Sequence, residues 1–501
     1  MARKMITLLA ILALVNLTTG CKVYDTKMMS LQELTQQTEQ NIAEVVLASG
    51  SELTFNDAGG IYDTQRQVVS GLDVMGKRIE VDADKVLYVR VKHVNSGAST
   101  VTTFAAIIGL LGVAALIIAA QSCPLVYSFD GEQFVFDAEP LGGAICRGLA
   151  RTDFSRLEHL VGTDGRYRLL VRNELAETQH LDCMRLRVVD HPKGTKVYPD
   201  FDGTLYAVSD PVAPSMALDE RGKDISPFIF SSDGIAWQSV LPHDSSQTDL
   251  PLRHELTFSF PVPEGSTTAS LLINAGTATW GSNMIRAMLE LRGSAVDDWY
   301  ADVDAGGFER LKLGMFMLRE ELYVLKVFVQ TGTSWTQRAI IGGSGPYMTE
   351  DRLYALDLTG IEGDSLHIRV RPPRGFWSLD HVAISYTPTV KPEQQTIEPV
   401  QARTQDGHNI RTALARMDQQ YHDMPMTGDA FHLEFEAPAM KEDLERSLFL
   451  ETTGYYMLHL EKQAPPQTDI IQELMNTPDM IVSHSLNQYL QWRDSHVSAT
   501  K

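Results

Sequence analysis

The sequence predicts a mainly β fold: a small N-terminal β-module, one hydrophobic helix, and then β-sandwich-like domains with few helices. Three observations carry this expectation. Short β-prone runs such as KRIEVDA, GRYRLLVRNEL, MRLRVVDHP, ELTFSFPV and SLHIRVRPP recur along the chain, separated by Gly, Pro and Asp clusters. One stretch of 20 residues, VTTFAAIIGLLGVAALIIAA, carries no charge at all. Apolar content of 44% with 21% charged residues describes a chain that folds around a core. The roughly 480 residues from Cys21 onward exceed what one core usually organises, so two to four domains are expected.

The first 21 residues are MARKMITLLAILALVNLTTGC. Arg3 and Lys4 form a charged start, Met5 to Leu17 an apolar stretch too short to span a bilayer, and Thr-Thr-Gly-Cys a small-residue cut site. This segment resembles the lipobox signal of bacterial lipoproteins, with Thr18 standing where that motif usually has an aliphatic residue. The resemblance implies a signal peptide over 1–20 and lipidation, with palmitate, through a diacylglycerol thioether on Cys21, which becomes the mature N-terminus. Several acyl chains make a durable anchor, at about 0.8 kcal/mol per buried methylene. The alternative is an ordinary secretory signal with an incidental cysteine. Either reading takes the mature chain out of the cytoplasm.

Residues 21–43 read as a tether, with Leu31, Leu34, Ile42 and Val45 spaced for a short amphipathic helix. Residues 44–97 read as the small β-module, punctuated by Gly59-Gly60, Gly71 and Gly76. The uncharged stretch 101–120 is long enough, at about 1.5 Å per residue, for a helix to span the ~30 Å hydrocarbon core. Gly109 and Gly112 offer small surfaces for helix contact. A transmembrane helix here is the expectation, and burial in protein the alternative. Lys85, Arg90 and Lys92 precede it, whereas Asp130, Glu132, Asp137 and Glu139 follow it. That asymmetry favours an external C-terminal part, and with it an outer-membrane or cell-surface location over the inner membrane.

Residues 122–390 read as one or two sandwich-like domains, opening with a hairpin turned at Asp130-Gly131. Residues 282–295 are the main helical exception. The polar stretch 391–409 reads as a linker or long loop, 410–465 as a C-terminal β segment, and 466–501 as a helical tail. The phrases SCPLVYSFDGEQFVFDAEPLGGAICRGLARTD and RSLFLETTGYYMLHLEK resemble an uncharacterised β-rich module of bacterial envelope proteins. Some proteins with that module carry FG-GAP or ASPIC/UnbV-type repeats. The resemblance covers about 122–460 and implies an extracytoplasmic β module without a transferable active site.

The net charge of −21 argues against nucleic acid, which needs a basic surface, and against adsorption to anionic lipid. With Cys21 assigned to lipid, Cys123, Cys146 and Cys183 remain. Cys123 and Cys146 are the candidate disulfide, whose loop would contribute about 3 kcal/mol. The thiol spacing does not suit zinc.

Asp130, Asp137 and Glu139 are close enough in sequence for acid/base or ligand roles, although Asp130 reads better as a turn residue. Asp190-His191 and Asp380-His381 pair carboxylate with imidazole, yet neighbours on a strand point to opposite faces. His159 and His243 sit in expected loops. Asp297, Asp298, Asp302 and Asp304 form an acidic run in which Asp302 and Asp304 are weak calcium candidates. Trp237, Trp280, Trp299, Trp335 and Trp377 read as core anchors before sugar platforms, and Ser344 lacks a nucleophile-elbow motif. No catalytic set, cofactor or metal site is predicted. The expected partners are the membrane, through lipid and helix 101–120, and an envelope protein or glycan. The leading reading is a lipid-anchored envelope protein with a binding, assembly or scaffold role. A carbohydrate-active or other hydrolytic enzyme on a sandwich, and a subunit of a membrane complex, are the alternatives.

Overall fold

The computed structural model describes residues 24–94 and 124–497, apart from short stretches at 30, 36–40, 48–51, 57, 74–75, 240, 242–249, 279 and 362. Its elements are mostly strands, in agreement with the mainly β expectation. The signal segment with Cys21, the stretch 101–120, Cys123 and His243 lie outside the described residues. No helix among the described residues is long and apolar enough to cross a membrane.

The N-terminal unit contains a four-stranded antiparallel sheet ordered Tyr24–Met29, Val86–Val94, Ile42–Leu47 and Glu52–Thr54. A second sheet joins Ile61–Asp63, Val68–Leu72 and Arg78–Asp82. Ile42, Val45, Val69, Val81 and Val89 are fully buried between their neighbours. Two expectations change here. The tether region holds a strand paired with Val86–Val94, and the expected helix shrinks to Leu31–Leu34. Ile42, Val45, Val46 and Leu47 are all buried, so the segment gains more as a covered strand than as a one-sided helix.

The larger unit is built from two pairs of sheets, one inserted into the other. In the first pair, one sheet runs Arg151–Arg156, Leu444–Leu458, Glu177–Pro192 and Glu393–Ile397, with His422–Met424 beside Gln179–Leu181. Its companion runs Gln401–Thr404, Ala430–Glu436, Arg166–Arg172, Leu125–Phe129 and Phe134–Ala138. Strict alternation in RYRLLVR buries Tyr167, Leu169 and Val171. These pack with Leu181, Met184, Leu186, Leu448, Leu450, Phe431, Leu433 and Phe435 in one core, as a sandwich requires. The stretch 391–409, expected as a linker, therefore supplies a strand to each sheet of this sandwich. Glu393–Ile397 is an edge strand with four exposed residues, so no apolar pattern marks it.

Between these halves the chain builds the second pair. One sheet is ordered Met216–Leu218, Leu256–Pro261, Ser365–Val370, Val324–Thr331 and Ser334–Gly342. The other is ordered Trp237–Gln238, Trp377–Ser385, Thr268–Thr277 and Glu350–Asp357. Thr268–Thr277 is buried on both faces. Part of its cover is the hairpin Lys196–Pro199/Leu205–Val208, which turns Tyr198 and Val208 onto Leu272, Leu353 and Ala383. The other side of that hairpin, Val197, Leu205 and Ala207, packs on Val189 and Phe449 of the first sandwich.

Three helices, Gly281–Glu290, Val296–Asp304 and Gly307–Glu320, fill the connection that was expected to hold one. The acidic run VDDWYADVDAGG is mostly helix because Val296, Trp299, Tyr300 and Val303 recur at helical spacing and are buried. The Arg292 guanidinium lies 3.9 Å from the Trp299 ring centre. The C-terminal helices Thr468–Asn476 and Met480–Val497 are tied to this region. Trp280 Nε1 donates to Ser485 Oγ at 2.9 Å, and Arg319 donates to the carbonyls of Leu474 and Met475.

The hairpin turn offers a direct test of this packing. Gly203 has φ +79°, and a Cβ there would fall 1.9 Å from Phe154 Cε2. Gly194 has nearly the same φ, +78°, with nothing within 4 Å. Gly194→Ala is expected to cost about 1 kcal/mol of conformational strain, and Gly203→Ala about 2–4 kcal/mol because the clash adds to it. Thermal and denaturant melts of both variants measure the difference.

Candidate functional site

Of the carboxylates singled out in the opening hairpin, Glu139 reaches the joint between the two pairs of sheets, while Asp130 and Asp137 are bonded within the first pair. Asp130 caps its own turn by accepting the N–H groups of Glu132 and Gln133, which hold its carboxyl below the usual range. Asp137 is buried and accepts the backbone N–H groups of Glu158 and His159 together with His159 Nδ1 at 2.8 Å.

Glu139 is fully buried, and its Oε2 accepts Tyr347 N–H at 2.6 Å and Met348 N–H at 3.1 Å from the inserted pair of sheets. Gly345 lies so close that a Cβ on it would sit 2.2 Å from Glu139 Cδ. Burial pushes the Glu139 carboxyl well above its ordinary range; the two N–H donors oppose this, and Glu350 and Glu177 add to it.

Beside it, Glu350 accepts Ser155 Oγ–H and Arg352, while Asp153 accepts Leu141 N–H at 2.6 Å and Arg151 at 2.9 Å. Leu141 holds a left-handed φ of +74° at this joint. The cluster is rich in carboxylates, yet Glu139 and Glu350 are 0% and 7% exposed. Backbone closes over it where a hydrolase would need an open cleft.

The histidines are distributed as the strand geometry requires. Asp190 takes Arg446 in a bidentate pair at 2.7 and 2.9 Å, while His191 points away to Ser447 Oγ at 2.9 Å and Thr195 Oγ1 at 3.0 Å. Asp380 accepts Gly234 N–H at 3.0 Å, and His381 lies in a row with Asn274 and Asp351 on three adjacent strands. Sequence reasoning picked His381 for its neighbour Asp380 and missed Asn274 and Asp351, because only strand register brings them together.

Asp302 and Asp304 stand on a helix where a loop was expected, so they are not alternate ligands of one loop. Asp304 accepts Gly148 N–H at 2.6 Å, and Asp297 pairs with Lys462 at 2.6 Å. Among the described residues no three His, Cys, Asp or Glu side chains gather to hold a metal ion. Trp237, Trp280, Trp299 and Trp377 are buried, and half-buried Trp335 carries the Arg369 guanidinium 4.3 Å above its ring. Ser344 is buried with its hydroxyl turned to the main-chain oxygens of Met348, Ala275 and Gly345. Cys146 and Cys183 are buried free thiols, each pushed up to about 12 by burial.

One surface presents large apolar side chains to solvent. On the helix Gly307–Glu320, Phe308, Leu311, Met315 and Leu318 are 70%, 58%, 63% and 40% exposed. Their 3-4-3 spacing puts them on one stripe, while Leu313 and Phe316 are buried on another side of the helix. The signal was present in GFERLKLGMFMLRE, which has more apolar positions than one buried stripe needs.

No family model and no curated protein matches this sequence. Among solved structures, a β-porphyranase of glycoside hydrolase family 86 from the human gut bacterium Bacteroides plebeius aligns at 9% identity and a TM-score of 0.15. That alignment covers 49% of this chain, which spans 37% of the enzyme's length. A chain of the Sulfolobus turreted icosahedral virus aligns at 7% identity, over 68% of this chain and 100% of its own, with a TM-score of 0.13. A chain from a triple jelly roll and turret assembly of an archaeal virus gives 7%, 68%, 98% and 0.15 for the same four quantities. Likeness at these scores carries no argument about activity.

The buried joint predicts a pH dependence with a definite sign. A carboxyl raised above its ordinary value of 4.5 favours folding while it is protonated. That contribution is whole below this value and is lost as pH rises toward the folded value. Glu139→Gln keeps the acceptor for Tyr347 and Met348 and removes the titration. Its melting temperature is expected to rise relative to the parent as pH is raised above the ordinary carboxyl value of 4.5. Parallel pH profiles for the two proteins would show that Glu139 does not titrate.

Proposed function

We propose that this chain is a lipid-anchored extracytoplasmic protein of the bacterial envelope that works by binding and assembly. The lipobox-like segment ending at Cys21 supports the address. The solvent-facing stripe Phe308, Leu311, Met315 and Leu318 supports the role. Large apolar residues in a contiguous exposed row are uncommon on an unpartnered surface and mark an interaction face. Two a/d-like pairs on a firmly seated helix suit an amphipathic helix of an envelope protein partner, packed side by side. The groups a hydrolase would use are engaged at the interior joint, so binding is the more economical reading of these residues.

A photo-crosslinking residue placed at Met315 in cells is expected to give a discrete membrane-fraction adduct. The same residue at Met440, which is 56% exposed and far along the chain, is expected to give none. Equal diffuse labelling at both positions would overturn the proposed face. Radioactive palmitate is expected to label the parent and not Cys21→Ser; label retained by the variant would overturn the anchor.

A further inference from the structure

We propose that the face of the sheet containing Thr268–Thr277 that is partly covered by the hairpin Lys196–Pro199/Leu205–Val208 carries a binding site for a hydroxyl-bearing small molecule, a polyol or sugar, held between Asn274 and His381. The site is distinct from the helix stripe and from the buried carboxylate joint, and it does not depend on the envelope reading.

Strand register sets Asp351 opposite Asn274 and Asn274 opposite His381, so the three side chains form a row across neighbouring strands. The next row on the same face is Leu353, Leu272 and Ala383, which Tyr198 and Val208 cover. The polar row therefore begins where that apolar cover ends. A register shift between Asn274 and Ala275 makes Asp380 the extra residue of a bulge beside His381. Such irregularities re-aim side chains.

The hydrogen bonds in the row fix its polarity. Asp351 is 6% exposed and receives Lys196 Nζ at 2.8 Å and Asn274 Nδ2 at 3.0 Å. With its amide nitrogen committed to Asp351, Asn274 is left with Oδ1 as a buried acceptor without a partner. Asn274 itself is only 6% exposed. His381 Nδ1 is likewise buried and unpartnered. Burial lowers the His381 value, with Asp351 opposing and Lys196 reinforcing, so the ring is neutral around pH 7.

These two orphaned atoms select the ligand group. An amide oxygen only accepts, so the ligand must donate to it. A neutral imidazole donates at one nitrogen and accepts at the other; a hydroxyl that donates to Asn274 Oδ1 can accept from Nδ1–H, and in the other tautomer a neighbouring hydroxyl of the same polyol donates to Nδ1. A carboxylate has no proton to give, and an ammonium cannot accept from an N–H. Lys196, whose side chain is 34% accessible, stands beside the row through its pair with Asp351.

The probes are glucose, galactose and glycerol, each titrated into the full chain carrying 15N-labelled histidine. At least one is expected to move a single imidazole resonance saturably. His381→Ala should remove that resonance and weaken binding, followed by ligand-observed NMR, by about tenfold or more. His432→Ala, at an exposed position on another sheet, should bind as the parent does. Asn274→Ser, which keeps a smaller polar group, should also weaken binding, and unchanged melting curves would show that each variant is folded. No saturable shift with any probe, equal affinity in His381→Ala, or a crystal soaked with the probe showing only an ordered water between the two atoms would overturn the proposal.

Discussion

The antiparallel pairing of Glu177–Pro192 with Leu444–Leu458 is the constraint on which the rest of the larger unit depends. Its register joins Pro192 to Leu444, so residues 193–443 are enclosed between the two strands. Closing so long a loop costs entropy that grows only slowly with length, and the long ladder together with the core beneath it can offset that cost. Leu181, Met184, Leu186, Leu448 and Leu450 bring their apolar side chains into that core. Each fully buried side chain of this kind contributes about 1.5–3 kcal/mol.

The inserted pair of sheets is held to this frame by two different kinds of contact. The hairpin Lys196–Pro199/Leu205–Val208 is apolar on both faces, with Val197, Leu205 and Ala207 on one lobe and Tyr198 and Val208 on the other. A strand with two buried faces loses solvent on both, which makes it a firm spacer. The carboxylate joint is more demanding, because buried charges destabilise unless they are paired or neutral. Arg352 and Ser155 answer Glu350, and the Tyr347 and Met348 N–H groups answer Glu139, whose burial favours its neutral form. Such groups specify one geometry for the joint, since any displacement leaves a buried carboxyl without its partner.

What could be read in the chain followed from whether an element shows its environment locally. RYRLLVR alternates because one face is wet and one is dry, and it was legible as a strand at once. Glu393–Ile397 was not, because an exposed edge strand is held by backbone bonds to Leu186–Asp190 and has no apolar face to display. The helix Val296–Asp304 was hidden behind its aspartates, although Val296, Trp299, Tyr300 and Val303 carried the period. For the candidate sites, the separation of Asp190 from His191 could be deduced from strand geometry. The meeting of Glu139 with Tyr347, or of Asn274 with Asp351 and His381, could not.

The sequence by itself determined the mainly β class, the alternating strands, the turn at Asp130-Gly131 and the expectation of an extracytoplasmic address, because each rests on residues that are neighbours in the chain. The tertiary structure decided that one pair of sheets is inserted into another, that Glu139 is sealed at their joint, and that Phe308, Leu311, Met315 and Leu318 face solvent. Those outcomes depend on strand order and register between segments hundreds of residues apart, which local periodicity does not encode.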